Sequence, residues 1–142
     1  MADSFYPEVR ANQQTVPRLP IAVTAIRRDV AAAIKRTDLI GSRLMVAVSG
    51  GQDSLTLLDA LYAISDDLDL DLFCCHFDHR LRGTDSDGDR QFVHELSQSL
   101  ELKFISGAAE EEGQLSTEEA ARNARYAFLA RVSTYHEADA IA

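Results

Sequence analysis

No tryptophan occurs among the 142 residues, cysteine is confined to Cys74 and Cys75, and proline to positions 7, 17 and 20. Each scarcity excludes something. Adjacent cysteines have Cα atoms about 3.8 Å apart, below the roughly 4.4–6.8 Å of an ordinary disulfide, so the pair is expected to be reduced and buried. A CxxC metal or iron–sulfur motif is missing from that stretch. All three prolines fall in the first twenty residues, which leaves the remainder free to form regular elements. Uninterrupted apolar runs never approach the roughly 18 residues of a membrane span, and the N-terminal stretch has no apolar centre of the secretory kind, so a cytoplasmic protein is expected.

Positive charge is also short. Fourteen Lys and Arg stand against twenty-three Asp and Glu, a formal net charge of -9. That sign opposes a general nucleic-acid-binding surface, and any RNA contact must be local or lie elsewhere. The length suits one domain with a real core, at 46% hydrophobic residues.

What is present is a hexapeptide, Ser49-Gly50-Gly51-Gln52-Asp53-Ser54, between the apolar run Leu44 to Val48 and the helix-like stretch from Leu55 to Leu61. Two glycines after a buried strand permit a sharp turn and a close approach to a ligand. A helix starting near Asp53 or Ser54 would aim free N–H groups and its positive dipole end into the same gap, which suits phosphate. Ser49 and Ser54 add hydroxyl donors. Asp53 would repel polyphosphate without an intervening cation, and Mg²⁺ is the economical choice. A Walker A loop is excluded because no lysine follows Gly51, a dinucleotide fingerprint lacks its third glycine, and an ordinary capped Gly-Gly turn is the plain alternative.

Around this loop the apolar spacing predicts alternating helices and strands. A helix is expected over 24–37 with Val23, Ile26, Val30 and Ile34 inward, packed on a sheet, and Arg27 elsewhere. Strands are expected over 44–48, 70–77 and 102–105, with a helix carrying Phe92, Val93, Leu96 and Leu100 between the last two. A loop over 107–115 leads to a capping box from Ser116 to Glu119 and a helix to about His136, with Ala120, Ala121, Ala124, Phe128 and Val132 inward. Short apolar strands without clean alternation imply a parallel sheet covered on both faces, an α/β doubly wound domain. The boundaries are an arm over 1–22 and a nucleotide-binding domain over 23–142. The chain stops at Asp139 to Ala142, which reads as the entry to a further strand, so a fragment with a sheet incomplete at its C-terminus is expected.

Two further clusters carry polar chemistry. His76, Asp78, His79, Arg80 and Arg82 gather where a strand leaves the core. A metal site, a bland polar turn and a phosphate-facing loop are the options, and the arginines favour the last. Arg122, Arg125 and Tyr126 share a helix face, where a surface ion pair with Glu118 or Glu119 is the bland alternative.

These three segments together resemble the N-terminal catalytic domain of the tRNA(Ile)-lysidine synthetases, in the N-type ATP pyrophosphatase (PP-loop) superfamily with its adenine nucleotide alpha-hydrolase-like fold. The loop alone indicates only the superfamily. The resemblance spans about residues 24–142 and implies an ATP- and Mg²⁺-dependent ligase. Such an enzyme adenylates the C2 oxygen of the wobble cytidine in an isoleucine tRNA with a CAU anticodon, then joins free L-lysine to C2, shifting codon reading from AUG to AUA. It further implies that residues 49 to 54 hold the ATP phosphates with Asp53 toward Mg²⁺, that His79, Arg80 and Arg82 form a substrate loop, and that Asp53, Arg122 and Arg125 take part in catalysis. Arg80 stands where that family often has glycine, and a further His- and Asp-containing segment would follow the strand at Ala140. The 142 residues alone are accordingly expected to be inactive. A tRNA thiolase of the same superfamily and a non-catalytic nucleotide-binding module are the competing readings.

Overall fold

A computed structural model describes residues 21–79, 84–109 and 117–142. Along these the order is α1 (Ile21–Arg36), β1 (Arg43–Ala47), α2 (Gln52–Ile64), β2 (Asp71–Asp78), α3 (Thr84–Ser99), β3 (Lys103–Ala108), α4 (Glu118–Tyr135) and β4 (Ala140–Ile141). All pairings are parallel and the strands lie in the order β3-β2-β1-β4.

The apolar strands are explained by what covers them. Successive side chains point to opposite faces. Leu44, Val46, Val48, Leu72 and Cys74 pack on one face with Ile34, Leu58, Leu61 and Val93 of the first three helices and with Leu100 just after α3. Met45, Phe73 and Cys75 pack on the other with Leu129 and Val132 of α4. Both faces are therefore buried, as in a doubly wound sheet. The chain passes from β3 at one edge to β4 beside β1, and α4 crosses the opposite face in doing so. That reversal leaves a crevice beyond the carboxyl ends of β1 and β4, the usual ligand position in such sheets.

Local chemistry sets the turns. Before each strand one acidic residue takes a left-handed conformation: Asp38 (φ 59°), Asp69 (φ 53°), Glu101 (φ 57°) and Glu137 (φ 55°). Glycine commonly fills such places, so nothing in these residues marked them as turn points.

Several expectations shift. The helix after the glycine loop starts at Gln52, one residue early, and β2 runs on to Asp78. Gly107 and Ala108 belong to β3 instead of a loop. Thr117, whose hydroxyl accepts from the N–H of Ala120, is the N-cap of α4; Ser116 lies outside the described residues. On α4 the fully buried positions are Ala121, Leu129 and Val132, with Phe128 partly buried. Helix α1 packs on α2 as well as the sheet, because Arg27 turns inward to pair with Asp59 while Ile26 stays 39% exposed. Arg80 and Arg82, and the arm before Ile21, are outside the described residues.

Candidate nucleotide-binding site

The glycine loop is built by the way β1 ends. Val48 still donates its N–H to Cys75 O (2.9 Å), so strand pairing persists to the brink of the turn. Gly50 then adopts φ +93°, a conformation L side chains rarely take, and Gly51 caps α2 from an extended conformation with no side-chain cap. A Cβ on Gly50 would also lie 3.3 Å from Cβ of Asp89 on α3, tighter than most real contacts. Two independent constraints thus require glycine there.

The loop bonds to itself. Ser54 Oγ donates to Gly51 O (3.0 Å) and accepts from the Ser49 N–H (3.2 Å). With its only proton committed, Ser54 must accept in the 3.1 Å contact with Ser49 Oγ, which in turn accepts from the Gly51 N–H (3.2 Å). Asp53 is exposed in the first turn of α2, not turned into the core.

Beyond β2, the polar cluster divides. His76 is buried, and its Nδ1 lies 2.7 Å from Val48 O. A carbonyl only accepts, so Nδ1 carries the proton and His76 ties β2 to the start of the loop. It also lines the large cavity together with Asp78 and His79, as their grouping in the sequence expects. His79 sits past the end of β2 with its ring edge-on to Phe77, centroids 5.0 Å apart. Burial holds its pKa below the usual imidazole value; the Arg125 guanidinium and His76 act in the same direction and Asp78 opposes them.

On α4, the guanidinium carbons of Arg122 and Arg125 lie 5.3 and 5.2 Å from the Tyr126 ring centroid. The phenol is pulled below its ordinary pKa, first by the Arg125 hydrogen bond and then by Arg122. Arg125 faces inward across the crevice while Arg122 stays on the exposed side of the helix.

One cavity of about 910 Å³ collects Ser49, Ser54, His79, Asp89, Arg125 and Tyr126 over apolar Val48, Leu129 and Ile141. Gly50 and Gln52 instead border a separate groove of about 510 Å³ between α1 and α2, with Ala22, Val23, Ile26, Leu55 and Asp59. The larger cavity thus joins three segments distant in sequence. Asp89 was not singled out as a site residue from the sequence, where it reads as part of a helix start, whereas Tyr126 was grouped with the two arginines that it contacts here. Among the described residues no group of three or more His, Cys, Asp or Glu is arranged to hold a metal ion, and two carboxylates stand beside the loop, exposed Asp53 at the start of α2 and Asp89 of α3 against Gly50.

The PP-loop domain model matches residues 23–142. The chain belongs to the PP-loop family. It is similar to the tRNA(Ile)-lysidine synthase of Geobacter sulfurreducens, 46% identical over 94 residues, covering 63% of this chain and 20% of that protein. The synthase of Dehalococcoides mccartyi is 38% identical over 120 residues, covering 80% of this chain and 26% of the relative, and that of Bacillus subtilis 34% over 110 residues, covering 73% and 23%. The chain therefore spans about a fifth to a quarter of the length of these curated relatives. The U34-tRNA thiolase NcsA from Methanococcus maripaludis, described with its [4Fe-4S] cluster, superposes with a TM-score of 0.69 at 18% identity, over 84% of this chain and 44% of that one. At that identity the likeness bears on the α/β fold alone. No described helix is long and apolar enough to cross a membrane.

Proposed function

We propose that this PP-loop domain is the ATP-binding, adenylating part of a tRNA(Ile)-lysidine synthase acting in the cytoplasm. In this reading the N–H groups at the start of α2 and the hydroxyls of Ser49 and Ser54 receive the triphosphate. Asp53 would hold Mg²⁺, a hard cation suited to a carboxylate plus phosphate oxygens, which neutralises charge on the phosphates. Arg125, with Arg122 behind it, faces the α-phosphate. The C2 oxygen of the wobble cytidine in the isoleucine tRNA attacks that phosphorus and pyrophosphate leaves. The amine of free L-lysine then attacks C2, and AMP departs with the C2 oxygen. Such transfers need positioning and charge stabilisation more than covalent help from the protein.

The observation that carries the reading is the single cavity shared by the glycine loop, the end of β2 and the arginine face of α4, together with the similarity to several lysidine synthases. The charge of -9 fits an RNA contact limited to this patch. A thiolase is the second reading, motivated by the fold neighbour; Cys74 and Cys75, buried on opposite faces of the sheet, give it no support. The test is mass spectrometry of tRNA from cells lacking the gene. Loss of lysidine is expected, whereas loss of a thiolated base with lysidine intact would overturn the proposal.

A further inference from the structure

Two side-chain polar atoms among the described residues are buried without a hydrogen-bond partner, Arg43 Nε and His79 Nδ1. The first has an ionic neighbour, the Asp71 carboxylate at 3.3 Å. The second lies in the wall of the nucleotide cavity.

A neutral imidazole has one N–H and one bare nitrogen. A buried N–H with no acceptor forfeits its hydration, at about 1–3 kcal/mol, and such orphaned donors are rarer than orphaned acceptors. The buried Nδ1 is therefore the bare nitrogen, and the proton sits on Nε2. Burial and the Arg125 guanidinium both disfavour a second proton, although Asp78 works the other way. His79 thus has the opposite tautomer to His76, three residues earlier on the same segment, whose Nδ1 proton is fixed by Val48 O.

We infer that His79 is a neutral Nε2–H donor which, with Arg125, binds a phosphate oxygen of the nucleotide in the cavity. This assignment rests on the nucleotide reading above and goes beyond it: the ring supplies a hydrogen bond and does not remove a proton. An anionic oxygen matches these two groups, because a guanidinium and a neutral N–H offer only donors, while the Asp78 and Asp89 carboxylates of the same lining leave room for a cation beside it. A general base there would need a bare Nε2.

Two side-chain amides separate the possibilities. In His79→Gln the amide nitrogen can reach the place of Nε2, whereas in His79→Asn it reaches only that of Nδ1. In a protein of the relatives' full length carrying this domain, H79Q should keep pyrophosphate exchange within a few-fold of the parent, and H79N should lose roughly 10²–10³-fold, as when one oxyanion donor is removed. Equal loss in both, or the reverse order, would overturn the inference, with circular dichroism confirming that each variant folds. Independently, ¹⁵N spectra of the histidine rings in the 142-residue chain should show His79 protonated on Nε2, with that N–H signal moving on addition of sodium pyrophosphate. An Nδ1-protonated ring, or no movement at saturating pyrophosphate, would also overturn it. Absence of exchange in the parent enzyme would count against the functional reading alone, and the ring spectra would still decide the tautomer and the phosphate contact.

Discussion

Removing the carboxylate of Asp59 should be among the most damaging single changes outside the site. Arg27 Nη2 lies 3.0 and 3.2 Å from its two oxygens and Nε lies 3.3 Å from one of them. The two side chains are 11% and 5% exposed. Asp59→Ala would take the bidentate carboxylate away from a guanidinium held between α1 and α2 with little water around it. Breaking a buried pair by deleting one partner costs about 3–5 kcal/mol, a large share of the roughly 5–15 kcal/mol that holds a typical domain folded. Replacing both residues, Arg27→Met with Asp59→Leu, removes both desolvation penalties and should be near neutral or stabilising. Urea unfolding followed by circular dichroism measures this, with the midpoint falling in the single variant at unchanged slope and recovering in the double. A single-variant loss below about 1 kcal/mol, typical of solvated surface pairs, would show that the groove beside Asp59 hydrates the pair and that the burial argument is wrong.

Gly107→Ala should destabilise by about 1–3 kcal/mol through overpacking, because the added Cβ would fall 2.2 Å from Cε2 of Phe128. A thermal melt should show the loss, and in a Phe128→Ala background it should largely vanish; strict additivity would refute the contact. Gly50→Ala combines left-handed strain with crowding against Asp89, so both the melting temperature and ATP affinity by calorimetry should fall, while unchanged affinity would refute the cradle. Folding lowers the pKa of His79 and His136 below 6.5. The unfolded chain therefore binds more protons just below that pH, and stability should decline as pH drops through about 6.5 and be level above it. In the alkaline direction, burial raises the Cys75 thiol from 9.0 to about 12, so stability should fall above about pH 9; a flat denaturation midpoint across that range would contradict the assignment.

The sheet was legible in the residues because its strands are short apolar runs, each preceded by a helix with one apolar stripe. The glycine loop was legible because Gly50 and Gly51 fall between a buried strand and a helix, where the backbone must turn sharply. Less visible were features that depend on what lies across space. Arg27 breaks an apolar stripe and reads as solvated until Asp59, 32 residues on, is placed opposite it. His76 and His79 look alike in the sequence, yet Nδ1 of one is fixed by the Val48 carbonyl just past β1 and Nδ1 of the other is buried with no hydrogen-bond partner. Asp89 becomes a site residue only because α3 brings it against Gly50.

The serine contacts inside the glycine loop bear on how tightly any ligand can be held. Ser49 and Ser54 satisfy each other and the neighbouring backbone. An incoming oxyanion must therefore trade places with existing partners, and the swap yields little, since one hydrogen bond replaces another of similar strength. The surplus has to come from Coulomb attraction to the helix end, Arg125 and any bound cation. Retention of the nucleotide should then weaken with ionic strength, more like an ion exchanger than a lock.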